Sequence, residues 1–338
     1  MREFLKDLKS SVKGLVLYEY KYLMILFLVA ILCYVPMDYY IIIGGGIDDI
    51  SSRIEVKDGY ESKGSLNLSY VTTTDGVLLT YALSYIVPNW SRNSVDTYKY
   101  DNNDSGEDIN YRSDMLLKKA NSDATYVAYT KAGKDINLKD TKYYVISVMD
   151  GCNLKVKDEV LEIDNNKIDG FNYNEYISSL KKGQKVKLKI KRNKKEQTIT
   201  TTVKDLNGKL LLGVYLQKIE EYDTDPEIDF KFKRSESGPS GGLLTALSIY
   251  NQLISEDITK GLAIAGTGTI DNEGNVGEIG GVDYKLRGAI AGKADVFIVP
   301  SGDNYKDVMK IVKEEKLNIK IIEATTFEDV LEKLEELN

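Results

Sequence analysis

The chain of 338 residues contains no histidine. Imidazole is the usual base beside a serine or cysteine nucleophile and the commonest metal ligand, so its absence removes histidine-based triads and most zinc chemistry. Cysteine is nearly as scarce. Cys33 falls inside an apolar run and Cys152 stands alone in the remainder, so no disulfide can form within that remainder. Cys152 also lacks a base to make it a nucleophile. No metal-ligand set is left, and the acidic loop Asp101 to Asp108 lacks the ligand spacing of a calcium site. A Gly-x-x-x-x-Gly-Lys-Ser/Thr phosphate loop is missing too, and Gly266 to Gly281 lacks dinucleotide-binding spacing. No cofactor and no nucleotide are therefore expected. The net charge of −7 argues against nucleic acid as a partner.

The chain is 42% hydrophobic, enough for real cores, and long enough for two or three domains. Its first 21 residues carry Arg2, Lys6, Lys9, Lys13 and Lys21 against Glu3, Asp7 and Glu19. Tyr22 to Val35 is then unbroken apolar and aromatic sequence, and Tyr39 to Ile43 resumes it after Pro36 and Asp38. The whole of Tyr22 to Ile43 is long enough to span a bilayer, with Tyr18, Tyr20, Tyr22 and Tyr34, Tyr39, Tyr40 suiting its two interfaces. No small-x-small cleavage site follows Leu32, so an uncleaved anchor is expected rather than a signal peptide. The basic side would lie in the cytoplasm and the rest of the chain outside.

Residues 44–122 are the least readable: Ser65 to Thr73 and Val77 to Val87 carry strand patterns around a turn at Thr74-Asp75-Gly76. In residues 123–218 the elements are clearer. Tyr143 to Val148 and Val160 to Ile163 read as strands and Tyr173 to Leu180 as a short helix. Val186, Leu188 and Ile190 alternate with lysines into a hairpin at Asn193-Lys194 that returns through Thr198 to Val203. Residues 219–338 alternate helix and strand patterns, ending in an amphipathic helix from Thr326 to Leu337, which is the mark of an α/β unit. A hairpin is expected around Asp271 to Gly274.

The stretch from Arg234 to Arg287 organises the rest. Gly238-Pro239-Ser240-Gly241-Gly242 reads as a turn that delivers Ser240 to the start of a helix bearing Leu243, Leu244 and Leu247. Backbone N–H groups freed at that helix start could hold an oxyanion. Gly280-Gly281 precedes Lys285 on a second short helix of small and apolar residues. Each motif alone is an ordinary turn. In a chain without histidine, a lysine amine is the remaining base for a serine, provided that burial lowers its pKa by roughly three units. Lys285 has apolar neighbours, whereas most other lysines lie in charged or alternating runs.

Gly238 to Gly242, Ala265-Gly266-Thr267-Gly268-Thr269-Ile270 and Gly280-Gly281-Val282-Asp283-Tyr284-Lys285 together resemble the proteolytic domain of Lon-type Ser-Lys peptidases. They are most similar to the membrane-anchored, PDZ-containing Lon-like proteases of Gram-positive bacteria, the YlbL/SepM-like group. The resemblance implies Ser240 as nucleophile, Lys285 as general base and Thr267 as the hydroxyl that orients the lysine. Gly238, Pro239 and Gly241 would form the active-site loop, where Gly241 stands in place of the family's usual Ala and should affect loop stiffness more than chemistry. The order of elements in 123–218 resembles a PDZ domain, although Lys157 replaces its usual Gly and no carboxylate-binding loop is evident. That likeness implies peptide binding by strand addition beside Tyr143, Tyr144, Val145, Ile146 and Ser147.

The expected architecture is therefore multidomain, α/β and α+β, with four parts. Residues 1–43 form a basic segment and transmembrane helix, 44–122 an extracytoplasmic strand-rich segment, 123–218 a PDZ-like β-rich domain, and 219–338 a Lon-type α/β proteolytic domain. The expected function is ATP-independent serine endopeptidase action on exported peptides or small membrane-associated proteins at the outer face of the membrane. Its partners would be peptide or protein substrates, the membrane and further copies of itself. An inactive, PDZ-bearing membrane scaffold is the alternative.

Overall fold

The computed structural model describes residues 1–233 and 236–337, the side chains of residues 2–4 and 15–19 excepted. Arg234 and Ser235, which open the Ser240 stretch, and the side chains of Arg2, Glu3, Tyr18 and Glu19 lie outside the described residues. The chain divides into two units.

Residues 1–44 and 72–98 form the first unit. Helix α1 (Arg2–Tyr34) stops where the residue before Pro36 is pushed into an extended conformation, Val35 having φ −74° and ψ 113°. Strands β1 (Pro36–Asp49) and β2 (Ser65–Val77) contribute residues to both units. Helix α2 (Leu78–Leu83) and strand β3 (Ser91–Ser94) complete the first, β3 pairing antiparallel with β1 from Tyr39↔Ser94 to Ile42↔Ser91. Two expectations are corrected here. Tyr22 to Ile43 is not one apolar span, since the helix ends at Tyr34 and Tyr39 to Ile43 is strand; among the described residues no helix is long and apolar enough to cross a membrane. The expected strand Val77 to Val87 holds α2, and the expected turn 74–76 lies inside β2.

Residues 45–71 and 99–338 form the second unit. It contains α3 (Gly106–Ala132), a long helix that the sequence patterns do not reveal. Ser105 and Asp108 close a capping box at its start, and Gly133 ends it in the left-handed conformation, φ 63°. A six-stranded antiparallel sheet follows, built from β4 (Asp135–Val148), β5 (Glu159–Ile163), β6 (Lys185–Arg192), β7 (Lys195–Thr202) and β8 (Val214–Asp225) in the order β8-β4-β5-β6-β7, with the two-residue strand Asn166–Lys167 pairing with β5 off that path. Asn193 and Lys194 both take positive φ at the tight β6–β7 turn. In β6 the alternation works as expected: Val186, Leu188 and Ile190 are buried with Val145, Ile163 and Val203, while Lys185 and Lys187 face water. Helix α4 (Tyr173–Ser179) adds Ile177 to that core.

The C-terminal part runs α5 (Gly242–Leu253), β9 (Ala263–Gly266), the hairpin β10 (Thr269–Ile270) and β11 (Val276–Gly277), α6 (Val282–Ala291), β12 (Val296–Pro300), α7 (Asp303–Glu315), β13 (Lys320–Ala324) and α8 (Phe327–Glu335). The strands lie in the order β13-β12-β9-β2-β1, and β13, β12, β9 and β2 are parallel. Ser65 to Leu68 of β2 pair with Ala263 to Gly266. Residues 44–122 are thus no separate segment, because β2 is a strand of the C-terminal sheet and α3 packs on α5. One face of the sheet buries Leu66, Ile264 and Ile298 with Leu244 and Leu247 of α5 and Val330 of α8. The other buries Ala265, Phe297 and Val299 with Leu286 of α6 and Val308 of α7. Truncating Leu247, fully buried in this layer, would cost roughly 2–5 kcal/mol. A sheet so clamped is a rigid frame for the loops at its strand ends.

Candidate active site

Three of those loops meet at Ser240. The turn before α5 is held from several sides. Gly238 adopts φ +87° and donates its N–H to the Ser113 carbonyl of α3 at 3.1 Å. Gly242 N–H bonds back to Pro239 O at 3.1 Å, and Leu243 N–H reaches Gly268 O at 3.1 Å. The Ser240 carbonyl accepts Gly268 N–H at 2.8 Å and the Thr267 hydroxyl at 2.9 Å. Among the described residues the N–H groups of Ser240 and Gly241 make no hydrogen bond, which leaves donors beside the serine.

Thr267 follows the last residue of the central strand β9 and is fully buried. Lys285 sits one turn into α6, after Gly281 takes the left-handed conformation, φ 67°, that starts the helix. Its side chain is only 2% exposed, and Nζ donates to Thr267 Oγ1 at 3.0 Å. Burial among apolar groups disfavours the ammonium and lowers the Lys285 pKa to about 8. Thr267 thus joins the three expected positions in one chain of contacts: Lys285 amine, Thr267 hydroxyl, Ser240 carbonyl. Thr267 Oγ1 is the hydrogen-bond partner of the amine among the described residues, so the serine hydroxyl must turn toward the amine for proton transfer.

Gly241 has a more specific explanation than loop stiffness. A Cβ there would lie 2.8 Å from Cδ1 and 3.2 Å from Cδ2 of Leu68, so the Leu68 methyl groups fill the place of an alanine methyl. Ser113, through its carbonyl, and Leu68 are contributors that sequence reasoning missed; both come from segments with no motif around them.

The peptide-binding expectation is corrected. Tyr143 to Ser147 lie in β4, the second strand of its sheet, with β8 on one side from Lys218↔Tyr143 to Tyr215↔Ser147 and β5 on the other at Tyr143↔Val160 and Tyr144↔Glu159. Val145 N–H and C=O bond Asp158 O and Lys157 N–H. Ile146 O accepts from Arg112, and the Ser147 hydroxyl donates to Asp104. No edge is open there for an added strand. The sheet ends instead in β8 and β7.

Residues 234–336 match the family described as the Lon protease (S16) C-terminal proteolytic domain, and residues 116–203 match the PDZ domain. The chain thus contains one stretch similar to a Lon-type proteolytic domain and another similar to a PDZ domain. Among curated relatives, it is 32% identical over 97 residues to the Lon protease of Neorickettsia sennetsu, a match covering 29% of this chain and 11% of that protein. It is 35% identical over 96 residues to the Lon protease of Azospirillum brasilense, covering 28% and 12%. The chain thus spans little more than a tenth of the length of these relatives. Among solved structures it matches the PDZ domain of the SdrC-like protein of Listeria monocytogenes at 26% identity, over 24% of this chain and 92% of that one, with a TM-score of 0.22.

Proposed function

We propose that this protein is an ATP-independent serine endopeptidase working through Ser240 and Lys285. The observation that carries the reading is the buried Lys285 amine, lowered in pKa and tied through Thr267 to the Ser240 backbone in a chain without histidine. The Ser240 hydroxyl attacks the scissile carbonyl while neutral Lys285 takes its proton, and the resulting ammonium returns that proton to the leaving amine. The N–H groups of Ser240 and Gly241 hold the oxyanion. Water then enters, and Lys285 acts again as base to release the acyl group.

Helix α1 supplies the place of action. Met24, Ile25, Leu26, Phe27 and Leu28 are each more than half exposed, an apolar surface that a bilayer would cover. That surface docks on a membrane, where Lys6, Lys9, Lys13 and Lys21 meet its anionic headgroups. Substrates are exported peptides and small membrane-associated proteins.

The test is incubation of the full chain with an unfolded protein, read by mass spectrometry, alongside Ser240→Ala and Lys285→Ala. Cleavage by the parent and by neither folded variant is expected. Equal cleavage by all three would sink the proposal.

A further inference from the structure

Ser69 is 1% exposed, yet its hydroxyl has no hydrogen-bond partner among the described residues. Buried hydroxyls are nearly always paired, so an orphan beside a candidate active site requires a reason. The strand register locates it. Leu68 lies opposite Gly266 in the parallel β2–β9 pair, which sets Ser69 abreast of Thr267. Side chains alternate along a strand. Leu66 and Leu68 serve the α5 face, Leu68 reaching the Gly241 turn, whereas Val71 lies against Gly281 at the start of α6. Ser69 therefore shares the α6 face with Thr267, whose hydroxyl receives Lys285 Nζ. Asn67 is on that face too, but its amide already donates to Ser65 Oγ and Ile264 O.

A neutral amine has two N–H donors and one lone pair. Thr267 takes the first donor. We infer that Ser69 is a positioning residue whose hydroxyl accepts the second, so that the lone pair of Lys285 is left aimed at Ser240. The inference rests on the Ser240–Lys285 reading. Its geometry has little competition from charge. Residues 65–71 of β2, β9, β12 and α5 contribute no charged side chain, and α6 carries only Asp283 and Arg287 besides Lys285, Arg287 being paired with Glu315 of α7.

The experiment compares the full-length parent with Ser69→Ala, Ser69→Thr and Lys285→Met. It measures kcat and KM on an unfolded protein from pH 6 to 10, melting temperature, and the titration of Lys285 by 13C-ε-lysine NMR, assigned from the resonance missing in Lys285→Met. In Ser69→Ala, kcat should fall about tenfold with KM unchanged. The same variant should titrate at lower pH by about half a unit, because the ammonium loses an acceptor. Its melting temperature should fall by no more than about 4 °C, since a single hydrogen bond is lost. Ser69→Thr should restore kcat to within about threefold. An unshifted Lys285 titration in Ser69→Ala, or a Ser69→Thr variant as slow as Ser69→Ala, overturns the inference. If the parent is inert, the peptidase reading fails separately, and the Lys285 titration alone decides the role of Ser69.

Discussion

Replacing Lys285 by methionine should make the protein more stable and catalytically dead, and the gain should depend on pH in a defined way. The amine titrates at about 8 in the folded chain, against 10.5 for an ordinary lysine. That difference corresponds to about 3 kcal/mol disfavouring the buried ammonium. The folded-state pKa is depressed, so between about pH 8 and 10.5 the unfolded chain binds a proton that the folded chain does not, and stability rises with pH across that window. Below pH 8 the folded state carries the whole penalty. Above 10.5 it carries none. The methionine side chain of the variant is similar in length and does not titrate, while losing the bond to Thr267 costs about 1 kcal/mol at any pH. Lys285→Met should therefore exceed the parent by about 2 kcal/mol at pH 7 and fall about 1 kcal/mol below it above pH 10.5. Paired urea unfolding curves at successive pH values measure the difference directly, and ionisation common to both proteins cancels. A difference that stays flat, or grows with pH, would refute a buried amine of lowered pKa. Parent cleavage should rise through about pH 8 over the same titration, and a rate flat down to about pH 5 would exclude lysine as the base.

Two further substitutions examine the neighbours. Thr267→Val removes the acceptor of the Lys285 amine and the donor to Ser240 O, so kcat should fall by about 10- to 100-fold with little change in KM, as steady-state kinetics would read. Gly241→Ala should lose about 1 kcal/mol to crowding against Leu68, and Leu68→Val should relieve it; a double-mutant cycle by thermal unfolding with no coupling would contradict the packing account.

The candidate site was legible in the sequence because the pattern that suggests it is local and selective. Without histidine, a serine in a Gly/Pro turn requires another base, and Lys285 is set apart by the apolar residues around it. What was illegible depends on distant pairing. Nothing in Ser65 to Leu68 signals a partner in Ala263 to Gly266, so β2 reads as part of a separate segment. Helix α3 escaped notice because its buried surface includes Arg112, Asp123 and Thr125, whose partners are not visible as an apolar stripe. Its capping residues Ser105 and Asp108 sit in an Asp/Asn-rich stretch that reads equally as loop. Tyr143 to Ser147 were correctly strand, but their openness to a peptide depended on β8, which occupies one of their edges.

Helix α3 also changes what the two domains can be to each other. It enters the PDZ match at residue 116, packs on β4 and β8 of that sheet, and packs on α5. Near its start Arg112 bonds Ile146 O of β4, while the next residue, Ser113, holds Gly238 of the Ser240 turn through its carbonyl. Two adjacent residues on one rigid helix thus touch the sheet that matches a PDZ domain and the loop that carries the candidate nucleophile. A boundary at residue 123 or 219 would cut through this arrangement, leaving the Gly238 N–H without its acceptor and β9 without β2. The proteolytic domain as a physical object is therefore larger than its sequence match: it needs β2 from before α3 to complete its sheet and α3 itself to hold its loop.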